Sequence, residues 1–145
     1  MGAYYTATMA IGGTMTVSVF KELCHVLAEM ELKAEFEDDS IFVVDPNASE
    51  GRITELEDFC LEHELPFYAT SGVFEDETVI WSDGKQMLII PAHQGQPVVP
   101  FAEIRTLLDA DLSCEDLRDQ LEELIPDVTI PPLDIPGETG EVFIP

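Results

Sequence analysis

The sequence predicts one α+β domain over residues 1–125, a ferredoxin-like split βαβ sandwich (βαββαβ) extended by a β-hairpin and two C-terminal helices. Residues 126–145 are expected to form an extended, Pro-rich C-terminal arm. Three observations carry this reading. Hydrophobic periods follow one another in the order strand, helix, strand, strand, helix, strand. The two helices echo each other: Glu22, Leu23, Glu29, Glu31 and Leu32 recur as Glu55, Leu56, Glu62, Glu64 and Leu65. Beyond them, Asp83-Gly84 sits between two apolar runs, a strong tight-turn signal.

Taken in order, Tyr4 to Ile11 is β-branched and aromatic enough for a strand, ended by Gly12-Gly13. Thr16 is placed to cap a helix running to about Glu31, with Phe20, Leu23, Leu27 and Met30 as its apolar stripe. Lys33–Glu37 and Ser40–Val44 read as two short strands about Asp38-Asp39, and Asp45-Pro46-Asn47 is expected to break the second. A helix is expected from near Ser49 to Glu64, turning Ile53, Leu56 and Cys60 inward, and Pro66 stops it. Phe67 to Thr70 is a strand, and Thr78–Trp81 with Gln86–Ile90 is the hairpin.

Pro100 suits the first turn of a short helix through Leu108. Ser113 with Asp116 resembles a capping box opening a last helix, with Leu117, Leu121 and Leu124 inward. Pro126 ends that pattern. The proline run Pro131-Pro132 to Pro136 dictates an extended chain, and Ile130, Leu133, Ile135, Val142, Phe143 and Ile144 give it apolar handles. Those handles fit packing along the same domain or along a second copy, as a dimerising arm.

Charge is the dominant compositional feature. Thirty Asp and Glu face six basic residues, for a formal net charge of -24. Nucleic-acid affinity comes largely from Lys and Arg neutralising phosphates, so direct nucleic-acid binding is excluded. Anionic membrane surfaces are disfavoured for the same reason, and no apolar run approaches membrane-spanning length. A hydrophobic content of 46% separates the chain from disordered acidic tails. No basic, apolar leader follows Met1, and Cys24, Cys60 and Cys114 cannot all pair, so free thiols in the cytoplasm are expected.

Chemical constellations are sparse, and no catalytic residue, metal site or cofactor is expected. Cys60 and His63 share a helical face and would supply two metal ligands, but zinc wants four, or three plus water. The plainer reading is a core thiol and a helix-end imidazole. Cys24 and His25 are neighbours whose side chains diverge on a helix, which disfavours a nucleophile pair. Glu37-Asp38-Asp39 and Glu75-Asp76-Glu77 read as solvated turns and lack a calcium-loop spacing. Gly12-Gly13 carries no phosphate-loop pattern, and Ser71-Gly72 no nucleophile elbow.

The acidic helices point further. Glu55, Asp58 and Glu62 form one stripe on the second helix, and Glu50, Glu57 and Glu64 another. On the last helix Glu115, Asp119 and Glu122 or Glu123 line up similarly. Carboxylates about one helical turn apart, roughly 5 Å, approach the charge density of duplex DNA when rows lie side by side. The expected function is therefore a non-enzymatic regulatory protein that docks a basic protein partner through these residues, in its sharpest form as a DNA-mimic inhibitor of a nuclease or other DNA-binding protein. Two alternatives stand beside it. One is a small-molecule-binding or sensory domain using Phe67, Tyr68 and Trp81; the other is acidity that serves solubility alone.

Overall fold

In a computed structural model of the chain, described over residues 4–37, 39–49, 51–71, 77–93, 96–125 and 127–136, β1 (Tyr4–Ile11) is the organising strand. It lies between β3 (Ser40–Ser49) and β4 (Phe67–Ser71), antiparallel to both. Helix α1 (Val17–Glu29) connects β1 to β2 (Lys33–Glu37), which pairs with the far side of β3. Helix α2 (Thr54–Glu62) connects β3 to β4 on the far side of β1. Each helical crossover therefore spans one inserted strand.

The hairpin continues this sheet. β5 (Thr78–Ser82) pairs with β4, β6 (Met87–His93) with β5, and β7 (Gln96–Pro97) with β6. The result among the described residues is an antiparallel sheet in the order β2-β3-β1-β4-β5-β6-β7, with four helices. Helices α3 (Phe101–Asp109) and α4 (Cys114–Leu124) follow the last strand. No helix among the described residues is long and apolar enough to cross a membrane.

Strand alternation sorts the sheet into two faces. Met9 and Ile11 of β1 stand beside Val43 and Ile41 of β3 and beside Ala69 and Phe67 of β4, all buried. Helix α1 lays Phe20, Leu23 and Leu27 on that face, and α2 adds Leu56, Phe59 and Cys60. Thr16 caps α1 as its sequence position dictates, its hydroxyl accepting from the Val19 amide at 3.1 Å. At the hairpin turn Gly84 takes φ +102, and the Asp83 carboxylate accepts from the Lys85 and Gln86 amides. A side chain at Gly84 would also collide with the Glu64 backbone.

Three expectations are corrected. β3 does not stop at Val44 but runs through Asp45-Pro46-Asn47 to Ser49. The pairing with β1 slips between Tyr5 and Ala7, so β3 carries one residue more there. That irregularity absorbs a proline that cannot donate to the ladder. Helix α2 consequently begins at Thr54 and not near Ser49. Leu117, Leu121 and Leu124 of α4 are only half-buried, and no residue of α3 or α4 is buried.

The described part of the arm, residues 127–136, packs along its own domain. The Gly13 amide donates to the Pro131 carbonyl, Leu133 to Asp39, and Met15 to Asp134. Asp134 donates back to Gly13, closing a parallel bridge with Thr14. Leu133 and Ile135 seat against the core. Gly12 makes the approach possible, because a Cβ there would stand 2.2 Å from the Pro131 carbonyl oxygen. Val142, Phe143 and Ile144 lie outside the described residues, as do Asp38, Glu50, Gly72, Glu75 and Asp76.

Candidate functional site

The acidic stripe of α2 exists as a surface feature. Glu55, Asp58 and Glu62 are all exposed, because the same helix commits Leu56, Phe59 and Cys60 to the core. Its neighbour across the helical layer is α1, and a groove between them is lined by Lys21, Glu22, His25, Phe59, Glu62 and His63. Cationic Lys21 thus stands beside the C-terminal end of the stripe. The His63 ring lies against Phe59, tilted by 46° with centroids 4.4 Å apart, and approaches Glu22 at 3.4 Å.

The second α2 stripe does not form. Glu57 is only 2% exposed and receives two hydrogen bonds from Arg52, from Nη2 at 2.5 Å and from Nε at 3.3 Å. Its place in the helix period sets it against the loop before α2, where Arg52 waits as a bidentate partner. The hydrogen bond to Glu57 pushes the Arg52 guanidinium pKa up further. Glu64 is exposed in a left-handed turn at φ +54, and Glu50 lies outside the described residues.

Glu115, Asp119 and Glu122 are exposed along α4. Ser113 opens that helix by accepting from the Asp116 amide at 3.1 Å, and Glu115 and Asp116 face the positive end of its dipole. Arg118 donates to Glu122 at 3.3 Å, one turn along the same surface. Helix α4 packs on α3 and α2 on α1, so the two acidic triads belong to different helix pairs.

The feature that sequence reasoning missed lies beside the α4 row. A groove of ≈ 410 Å³ is lined by Cys114, Leu117, Arg118, Leu121, Glu122 and Ile125. Ile125 is 69% exposed, and on α3 Phe101 is 90% and Leu108 57% exposed. The apolar stripe of α4, Leu117, Leu121 and Leu124, was legible in the sequence. What it left unsaid is that the described residues of the domain cover that stripe only in part.

The remaining candidates have plain structural roles. Cys60 is buried, and desolvation, aided by Glu57, pushes its thiol pKa well above the ordinary range. Burial raises Cys24 as well, so neither thiol is poised as a thiolate. Among the described residues no group of three or more His, Cys, Asp or Glu is placed to hold a metal ion. Phe67 belongs to the core, whereas Tyr68 and Trp81 are cross-strand partners on the face away from α1 and α2. Trp81 Nε1 donates to the Thr129 carbonyl at 3.1 Å, so the arm meets the sheet at Trp81.

Comparison with protein-family models, characterised proteins and solved structures finds no match. The functional reading rests on the arrangement itself.

Proposed function

We propose that this chain is a non-enzymatic acidic protein that docks a basic protein partner, carried on a frame of ferredoxin-like type. The strand order β2-β3-β1-β4 with helical crossovers α1 and α2 supports the frame. The observation that carries the docking reading is the row Glu115, Asp119 and Glu122, exposed on a hairpin that buries none of its own residues. Within the row only Glu122 has a cation beside it among the described ion pairs, Arg118. Carboxylates left in water at this density cost the free protein self-repulsion, which a cationic partner relieves.

The DNA-mimic version draws on the same rows and their one-turn spacing. It is supported less well, because a phosphate-like surface has no use for the apolar groove beside α4. Charge reversal tests the docking reading. Lys at Glu115, Asp119 and Glu122 is expected to abolish retention of basic proteins on the immobilised chain at about 50 mM salt. Retention by the unaltered chain is expected to vanish near ~0.5 M salt, where screening is nearly complete. Retention indifferent to salt and to both triads, α2 and α4, would rule the reading out.

A further inference from the structure

We infer that the α3–α4 hairpin is the docking site itself, and that its occupant is a cationic amphipathic helix. The inference rests on the reading of a basic partner and names its chemistry and its seat.

Both helices are amphipathic, yet neither buries a residue in its own domain. An amphipathic helix is stable in water chiefly when its apolar face is covered. Here, among the described residues, the face remains open as a groove lined by Leu117, Leu121 and Ile125. Cys114 to Ile125 spans about three helical turns, roughly 16 Å, which is the length of a short docked helix.

The rim decides what the occupant is. Helix α4 carries Glu115, Asp116, Asp119, Glu122 and Glu123 against the single cation Arg118. A second copy of this chain brings a net charge of -24 and the same acidic rim, so self-association through this face sets like charges together. An anionic membrane meets the same repulsion. A helix with apolar side chains at i, i+3 or i+4 and i+7 fills the groove, and its flanking Lys and Arg reach the rim. Apolar contact and the carboxylates share the affinity there, and the carboxylates also supply selection and speed of encounter.

The test uses the full chain and three labelled 18-residue peptides, read by fluorescence anisotropy in ~0.1 M salt. One peptide carries Leu and Lys at helical spacing, its twin carries Glu for Lys, and the third has the first composition in scrambled order. The patterned cationic peptide is expected to bind, the acidic twin to show no binding, and the scrambled peptide to bind at least about tenfold more weakly. Ile125→Ser, at a position too exposed to disturb folding, is expected to weaken the patterned peptide several-fold. The double variant Leu121→Ser/Ile125→Ser is expected to weaken it roughly tenfold or more, with its helicity checked by circular dichroism.

Equal binding of patterned and scrambled peptides overturns the inference in favour of unspecific charge attraction. Binding that survives the groove variants but is lost on reversing Glu55, Asp58 and Glu62 overturns the site while keeping the basic partner. Failure of the peptides while basic proteins are still retained overturns the amphipathic helix alone. Failure of both removes the docking reading as well. A dimer of the free chain that Ile125→Ser dissolves assigns the groove to a second copy, and the inference falls.

Discussion

Helix α1 and the α3–α4 hairpin follow the same amphipathic rule and end in opposite environments. In α1 the stripe Phe20, Leu23 and Leu27 is buried against the sheet. In the hairpin the corresponding residues stay half-buried or exposed, up to Phe101 at 90%. The difference lies in what holds each helix. Helix α1 begins five residues or so after the central strand and must return the chain to the same sheet two places away, so the crossover presses it onto the buried face. Helices α3 and α4 follow the two-residue edge strand β7, and among the described residues no later strand draws them back. The amphipathic pattern specifies which face wants burial, while connectivity decides whether the domain itself provides it.

The comparison is sharpest in stability. Phe67→Ala, in the middle of the buried face, is expected to cost about 3–5 kcal/mol. Phe101→Ala on α3 is expected to stay within ~0.5 kcal/mol. Urea unfolding of the two variants checks this, and similar losses would mean the hairpin is part of the cooperative core.

Arg52→Ala comes next, at about 3 kcal/mol, because it strands the buried Glu57 carboxylate without its bidentate partner. Glu57→Gln is expected to cost less, since the Arg52 side chain is 33% exposed and can turn to water. Thermal unfolding of both variants tests the asymmetry; the reverse order would move the buried cost to the arginine.

Gly12→Ala is expected to cost about 1–3 kcal/mol by lifting the arm away from Pro131. The chain has one tryptophan, and it bonds the arm at Thr129, so its emission should shift to the red while the far-ultraviolet spectrum holds. An unchanged spectrum would mean the arm stays seated.

The smallest effect is local and acid-dependent. The Gln86 and Lys85 amides hold the Asp83 carboxyl below the usual range. A lowered folded pKa gives a contribution that is complete above the ordinary carboxylate value of about 3.9 and lost as pH falls through the folded value. The Lys85 and Gln86 amide resonances should therefore move in acid, below that ordinary value, and Asp83→Ala should abolish the movement.

Much of the sheet could be read from the residues. The Thr16 cap, the Ile53, Leu56 and Cys60 face, and the Asp83-Gly84 turn are local signals, and each falls where its chemistry places it. The extension of β3 through Pro46 escaped because a bulge is a property of two strands, and one strand alone shows only a breaker. Glu57 looked like a surface acid because its burial depends on Arg52, a partner that a helical stripe does not display. The arm's direction depended on Gly12 admitting Pro131, a contact between distant segments. For the candidate site, the rows Glu55–Asp58–Glu62 and Glu115–Asp119–Glu122 were visible as helical periods. The uncovered groove beside the second was not, since exposure is a property of the whole fold.

Amide hydrogen exchange on the full chain, alone and with the patterned cationic peptide, tests most directly that the hairpin is the unsatisfied part of a self-sufficient domain. The account predicts that amides of 101–125 exchange far faster than those of β1 and α1 in the free chain and gain protection when the peptide is added. Protection of 101–125 equal to that of β1 in the free chain, or gained only over α2 on binding, would contradict it.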